Sequence, residues 1–121
     1  MRFPGYVFGD GYRELVHRCG IMCVPTEVGG THPVIVEGMA AGAALVVSDH
    51  APNLEVVGDA AAVFPLDGGA DALAAVLDGL ADDPARREDL GRRAAERYSW
   101  DACADAYLRL CEAVLAASGS R

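Results

Sequence analysis

The sequence predicts an α/β fold: a Rossmann-like, three-layer partial domain with a small parallel sheet of about four strands and C-terminal helices. Three observations predict it. Short apolar runs recur in "IMCVP", "ALVVSD" and "AAVFP", as in parallel strands buried on both faces. Helix-length segments separate these runs, the spacing of right-handed βαβ crossovers. After about residue 66 the pattern turns to helix alone.

Each element follows in order. Arg2 to Val7 is apolar, broken by Pro4 and Gly5, and is expected to form a short strand. A helix begins near Asp10, a candidate N-cap, with Leu15, Val16 and Cys19 on its apolar stripe and Gly20 as its stop. "IMCVP" is the next strand. A loop leads to a helix from about Pro33 to Ala41, ended by Gly42. "ALVVSD" is a strand, "APNLEVVGD" a short helix with Pro52 in its first turn, and "AAVFP" a last strand. Asp71–Ala81, Pro84–Tyr98 and Trp100–Ala117 are helical, with Pro84 at N1 and Ser99 or Asp101 as the final cap. There is no internal repeat or low-complexity linker, so residues 1–121 read as one domain, with "LDGGADA" a loop inside it. A sheet this small fits one half of a doubly wound domain.

Composition narrows the function. The chain has 121 residues, enough for one domain with a core, and is 52% hydrophobic. Its formal net charge of −8 argues against a nucleic-acid surface. An anionic ligand therefore needs helix N-termini or local cations. "MRFPGYVFGDGY" lacks the apolar core of a signal peptide, and no apolar run approaches membrane-spanning length. A cytoplasmic protein is expected. Cys19, Cys23, Cys103 and Cys111 contain no C-x-x-C pair. They are expected as buried free thiols rather than a disulfide or metal set. His17, His32 and His50 are spaced wrongly for a compact metal site.

The segment "TEVGGTHPVIVEGMAAG", Thr26 to Gly42, carries the chemistry. Ligands of open parallel sheets sit beyond the strands' carboxyl ends, where loops enter helices. Gly29 and Gly30 let a ligand approach the backbone. Their amides, with those of Thr31 and His32, can form an anion-binding concavity. Pro33 is free of penalty at the first helical position. Thr31 can cap the helix or donate to a ligand. Glu37 lies about one turn in, and helical side chains lean toward the N-terminus. Its carboxylate can accept two hydrogen bonds from a ribose diol. Together these features describe a nucleotide-sugar site. The same residues also fit a plain strand-to-helix turn with Glu37 on the solvated side.

The stretch "TEVGGTHPVIVEGMAAGAALVVSDHAPNLEVVGDAAAVFP" resembles the signature region of retaining nucleotide-sugar glycosyltransferases of family 4, which have the GT-B fold. Pro25, Glu37, Met39, Ala40, Gly42, Val46, Val47, Ser48, Asp49, Glu55, Val56, Val57, Gly58 and Asp59 fall in register with that pattern. "RYSWDACADAYLRLCEAVL" resembles the family's closing helices. The resemblance gives Glu37 the role of holding ribose hydroxyls. The family places a first glutamate eight positions earlier, near the donor sugar; here that place is Gly29, and the nearest acid is Glu27. Glu27 is the one weak catalytic candidate, with the Gly30 and Thr31 amides as the alternative. The variant "EVGGTHP" is similar to that of rhamnosyltransferase-like members.

The resemblance covers the later part of the donor-binding C-terminal domain of a GT-B enzyme. The acceptor domain and the Arg/Lys pair that meets the diphosphate lie upstream in that family. The implied activity is sugar transfer from a nucleotide diphosphate sugar, with retention and without a cofactor or metal, by a chain not competent alone. The implied partners are the nucleotide sugar and an N-terminal acceptor-binding domain or partner chain. The rival readings are a non-catalytic nucleotide-sugar-binding module and an inactive fragment that self-associates, for example as a homodimer. Arg86, Arg87, Arg92, Arg93, Arg97 and Arg109 are expected on a solvated face, paired with acids such as Asp89 and Glu96. Asp49 either borders the cleft or caps a turn; Glu55 either acts in the site or caps its helix. His50 follows Ser48-Asp49 at a strand's carboxyl end and can border the cleft, and Trp100 is expected in the core rather than as a stacking platform.

Overall fold

The computed structural model describes residues 2–30 and 32–118. Among them lies a three-stranded parallel sheet in the order β1 (Met22–Val24), β2 (Leu45–Ser48), β3 (Ala61–Phe64). Met22 pairs with Leu45, and Leu45 with Ala61. Around it run α1 (Asp10–Arg18), α2 (Pro33–Ala40), α3 (Ala51–Val57), α4 (Gly69–Ala81), α5 (Pro84–Arg97) and α6 (Trp100–Ser118), with a 3-10 turn at Leu66–Gly68.

The central strand explains the layering. Its side chains alternate between two faces. Leu45 and Val47 enter a cluster with Val24, Ile35, Met39 and Val57. Val46 enters a second cluster with Ala62, Phe64, Leu80 and Leu90. Helices α2 and α3 therefore cover one face and α4 the other. Helix α5 closes the end of the sandwich, giving Ala94 to one cluster and Leu90 to the other. This closure needs Gly91: a Cβ there would collide with the Gly42 carbonyl at the end of α2.

Capping follows the local chemistry. The Asp83 side chain accepts from the Arg86 amide (2.9 Å) with Pro84 next to it, and Ser99 Oγ accepts from the Ala102 amide (3.1 Å). Arg87 Nη1 donates to the Leu80 and Ala81 carbonyls, closing the end of α4. Arg97 Nε donates to the Val56 carbonyl at 2.7 Å, closing α3.

Four expectations are corrected. The segment Arg2–Val7 is not a strand: Pro4 lacks an amide hydrogen, and Gly5 sits at φ 74°, outside the extended region. The sheet thus has three strands among the described residues, not about four. Asp10 is the first helical residue of α1, and Gly9 holds the N-cap. Trp100 is 89% exposed rather than core, because it opens α6, in which no residue is buried. The cysteines are free but not buried: Cys23, Cys103 and Cys111 are exposed and Cys19 is half-buried. Partial burial still pushes the Cys19 and Cys23 thiols up, away from the reactive thiolate.

Candidate functional site

The loop between β1 and α2 is held at its root by a buried polar network. Ser48, at the end of β2, and Asn53, in α3, are both fully buried. Asn53 Nδ2 donates to Ser48 Oγ (2.9 Å) and to Thr26 Oγ1 (3.0 Å), and Ser48 Oγ donates to the Thr26 carbonyl (2.5 Å). Two strands and a helix thereby fix where the loop leaves the sheet. Satisfied buried networks of this kind rigidify what they touch.

Farther out, His50 Nε2 donates to the Gly29 carbonyl at 3.1 Å. Gly29 has φ 121°, a conformation that side chains rarely adopt. A Cβ built there would lie 2.9 Å from His32 Cε1. The backbone that this loop adopts thus disfavours any side chain where the resembled family has its first glutamate. Gly30 is exposed beside it. Thr31, expected to cap α2 or to donate, lies outside the described residues. His32 is the N-cap of α2 and Pro33 its first residue. His32 Nε2 is buried without a hydrogen-bond partner among the described residues. Glu27 is exposed on the loop.

Glu37 is exposed in the second turn of α2. Its Oε2 accepts a hydrogen bond from the Tyr12 hydroxyl of α1. Hydrogen bonding to the carboxylate, then burial, hold the Tyr12 phenol above its ordinary value. The two residues line an open groove of about 230 Å³ with Arg13, Val16, His17, Ala40 and Ala41. That is below the roughly 300–1,000 Å³ of pockets for whole ligands, so it suits one part of a ligand. A cavity of about 300 Å³ between α2, α5 and α6 is lined mainly by apolar groups such as Met39, Ala94 and Trp100. It offers little to a sugar or phosphate. No group of three or more His, Cys, Asp or Glu side chains is gathered for a metal among the described residues.

The sequence profile of the family described as glycosyl transferases group 1 matches residues 1–97. The chain belongs to that family. Among curated proteins, it is similar to a phosphatidyl-myo-inositol mannosyltransferase of Mycolicibacterium smegmatis. That match is 35% identical over 121 residues, covering 94% of this chain and 31% of the relative. The Mycobacterium tuberculosis protein of the same name is 33% identical, covering 100% of this chain and 34% of the relative. The chain therefore spans about a third of the length of the curated relatives it matches. Among solved structures, sucrose-phosphate synthase from Thermosynechococcus elongatus aligns with a TM-score of 0.73. It shares 24% identity, over 88% of this chain and 28% of that one. The fold of this group 1 glycosyltransferase chain is thus a Rossmann-like part of the GT-B architecture.

Within that frame the structure sorts the remaining candidates. Asp49 Oδ1 accepts from the Leu66 amide at 3.0 Å, so it caps the turn after β3. Glu55 lies inside α3, away from its start, and does not cap it. The arginines of α5 are largely surface groups: Arg92 and Arg93 both pair with Asp89 at 2.5 and 2.6 Å. Sequence reasoning missed Asn53 and Tyr12. For Tyr12 a signal existed: it sits four residues before Val16, the buried residue of α1, and so shares its face. For Asn53 there was none, because its partners are 5 and 27 residues away.

Proposed function

We propose that the chain is the donor-binding part of a glycosyltransferase that moves a sugar from a nucleotide diphosphate sugar to an acceptor, with retention. The observation that carries the reading is Glu37: an exposed carboxylate one turn inside a helix whose mouth is a glycine loop, beside an open groove. In this reading Glu37 accepts from the ribose hydroxyls. The amides of Gly29, Gly30, Thr31 and His32, at a helix start eased by Pro33, meet the diphosphate. They stabilise it as negative charge builds on leaving. Glu27, two residues before Gly29, is the one acid near the place of the family's first glutamate and the candidate for its role. Residues 1–121 form the later part of one donor-binding domain, and the acceptor side comes from an N-terminal domain or partner chain. No cofactor or metal is needed, and the setting is cytoplasmic. The similarity to mannosyltransferases supports a hexose-type donor; the "EVGGTHP" loop supports a rhamnosyltransferase-like branch.

Calorimetry with UDP-, GDP- and dTDP-sugars tests this. Glu37→Gln is expected to weaken the preferred ribonucleotide sugar roughly tenfold, the scale of a lost charged hydrogen bond. Unchanged affinity contradicts the assignment. Turnover of a nucleotide sugar by the purified chain alone contradicts its incompleteness. A second reading, a self-associating fragment, draws on α6, where Tyr107, Leu108, Leu110, Val114 and Leu115 are exposed. Light scattering that reports a monomer with saturable nucleotide binding rejects it.

A further inference from the structure

We propose that Tyr12 is the positioning residue of this site: its phenol holds the Glu37 carboxylate in the α1–α2 groove and leaves that carboxylate's remaining acceptor positions for a ribose diol. The inference rests on the reading of Glu37 as the ribose acceptor.

Four observations support it. The Tyr12 hydroxyl donates to Glu37 Oε2 across 25 residues of sequence, so two separate helices are tied at this point. Among the described residues no ion pair engages Glu37, although Arg13 and His17 line the same groove. Arg13 instead faces Asp10, at 3.8 Å. A cation on Glu37 would neutralise it and compete for its oxygens. A phenol occupies one of about four lone-pair sites and leaves the charge in place. Tyr12 is half-buried and shares its face of α1 with the buried Val16. A glutamate on an exposed helix face otherwise samples several rotamers, and ordering it on binding weakens affinity. Tyr12 orders it beforehand.

Calorimetry of the 121-residue chain with UDP and GDP, each against its 2′-deoxy counterpart, tests this. The wild type is expected to prefer the ribo form of whichever base it binds. Tyr12→Phe is expected to lose about three- to tenfold of affinity for that ribonucleotide. The deoxy form should lose less, so the ribo-to-deoxy preference narrows. In a Glu37→Gln background, Tyr12→Phe should change nothing further. If Tyr12→Phe weakens both forms equally, the role is merely structural and the proposal is overturned. Tighter binding by Tyr12→Phe overturns it too, since Tyr12 would then compete with the ribose. Wild type that discriminates, with Tyr12→Phe unchanged, removes Tyr12 and leaves Glu37 standing. Wild type that cannot tell ribo from deoxy, or binds neither nucleotide, removes the Glu37 reading and this inference with it.

Discussion

Helices α2 and α6 carry similar proportions of apolar side chains and meet opposite fates. In α2, Ile35 and Met39 are 0% and 1% exposed; in α6, Val114 and Leu115 are 57% and 72% exposed. The difference is in the neighbours. Helix α2 packs on β2, α1, α3 and α5. Helix α6 leaves the body after Tyr98, just beyond the residues matched by the family profile. An apolar stripe makes a core only where another element lies across from it. The contrast bears on function, because the proposed carboxylate stands on the anchored helix. Sites on rigid elements hold their geometry better than sites on loops.

The comparison can be broken by substitution. Met39→Ala should destabilise the fold most, by about 2–5 kcal/mol, because it opens a cavity among fully packed neighbours. Urea denaturation measures it, and a loss within about 0.5 kcal/mol means that α2 is not the anchor described here. Asn53→Ala comes next, at about 1–3 kcal/mol, since it strips hydrogen bonds from the buried Ser48 and from Thr26. Its signature is faster amide exchange in the loop after Thr26. Leu115→Ala in α6 should stay within about 0.5 kcal/mol; a larger loss means that α6 finds a partner surface in solution.

The smallest effect concerns Asp89. Hydrogen bonding to Arg92, then to Arg93, holds its carboxyl below the usual range. A depressed carboxyl stabilises the fold above its unfolded-state value and loses that contribution as pH falls through the folded one. Arg92 is exposed and Asp89 half-exposed, so screening keeps the effect slight. Thermal melts of wild type and Asp89→Asn should differ a little at neutral pH and converge in acid. A gap that widens as pH falls contradicts the sign.

Much of the fold was legible because it is local. The strands at "IMCVP", "ALVVSD" and "AAVFP", the Pro84 start and the Ser99 cap depend on residues within a few positions of one another. What was not legible depends on what lies opposite. Arg2–Val7 has strand-like composition but no pairing among the described residues, and Trp100 has core-like chemistry but stays 89% exposed at the rim of an open cavity. At the candidate site, the placing of Gly29, Gly30, His32, Pro33 and Glu37 at a strand–loop–helix turn could be read from the pattern. The grip of Tyr12 on Glu37 and the brace of Asn53 under Thr26 could not. Each joins residues more than 20 positions apart, and only the packing of α1 and α3 brings them together.

The central claim is that a nucleotide binds at the mouth of α2 with Glu37 on its ribose. A titration of the amide spectrum of the 15N-labelled chain with UDP, then with GDP, tests it most directly. For one of the two, the amides of Gly29, Gly30, Val34, Ile35 and Glu37 should shift and saturate while those of α6 stay still. Shifts confined to α6, or a loop that stays unmoved at saturating nucleotide, would contradict the account.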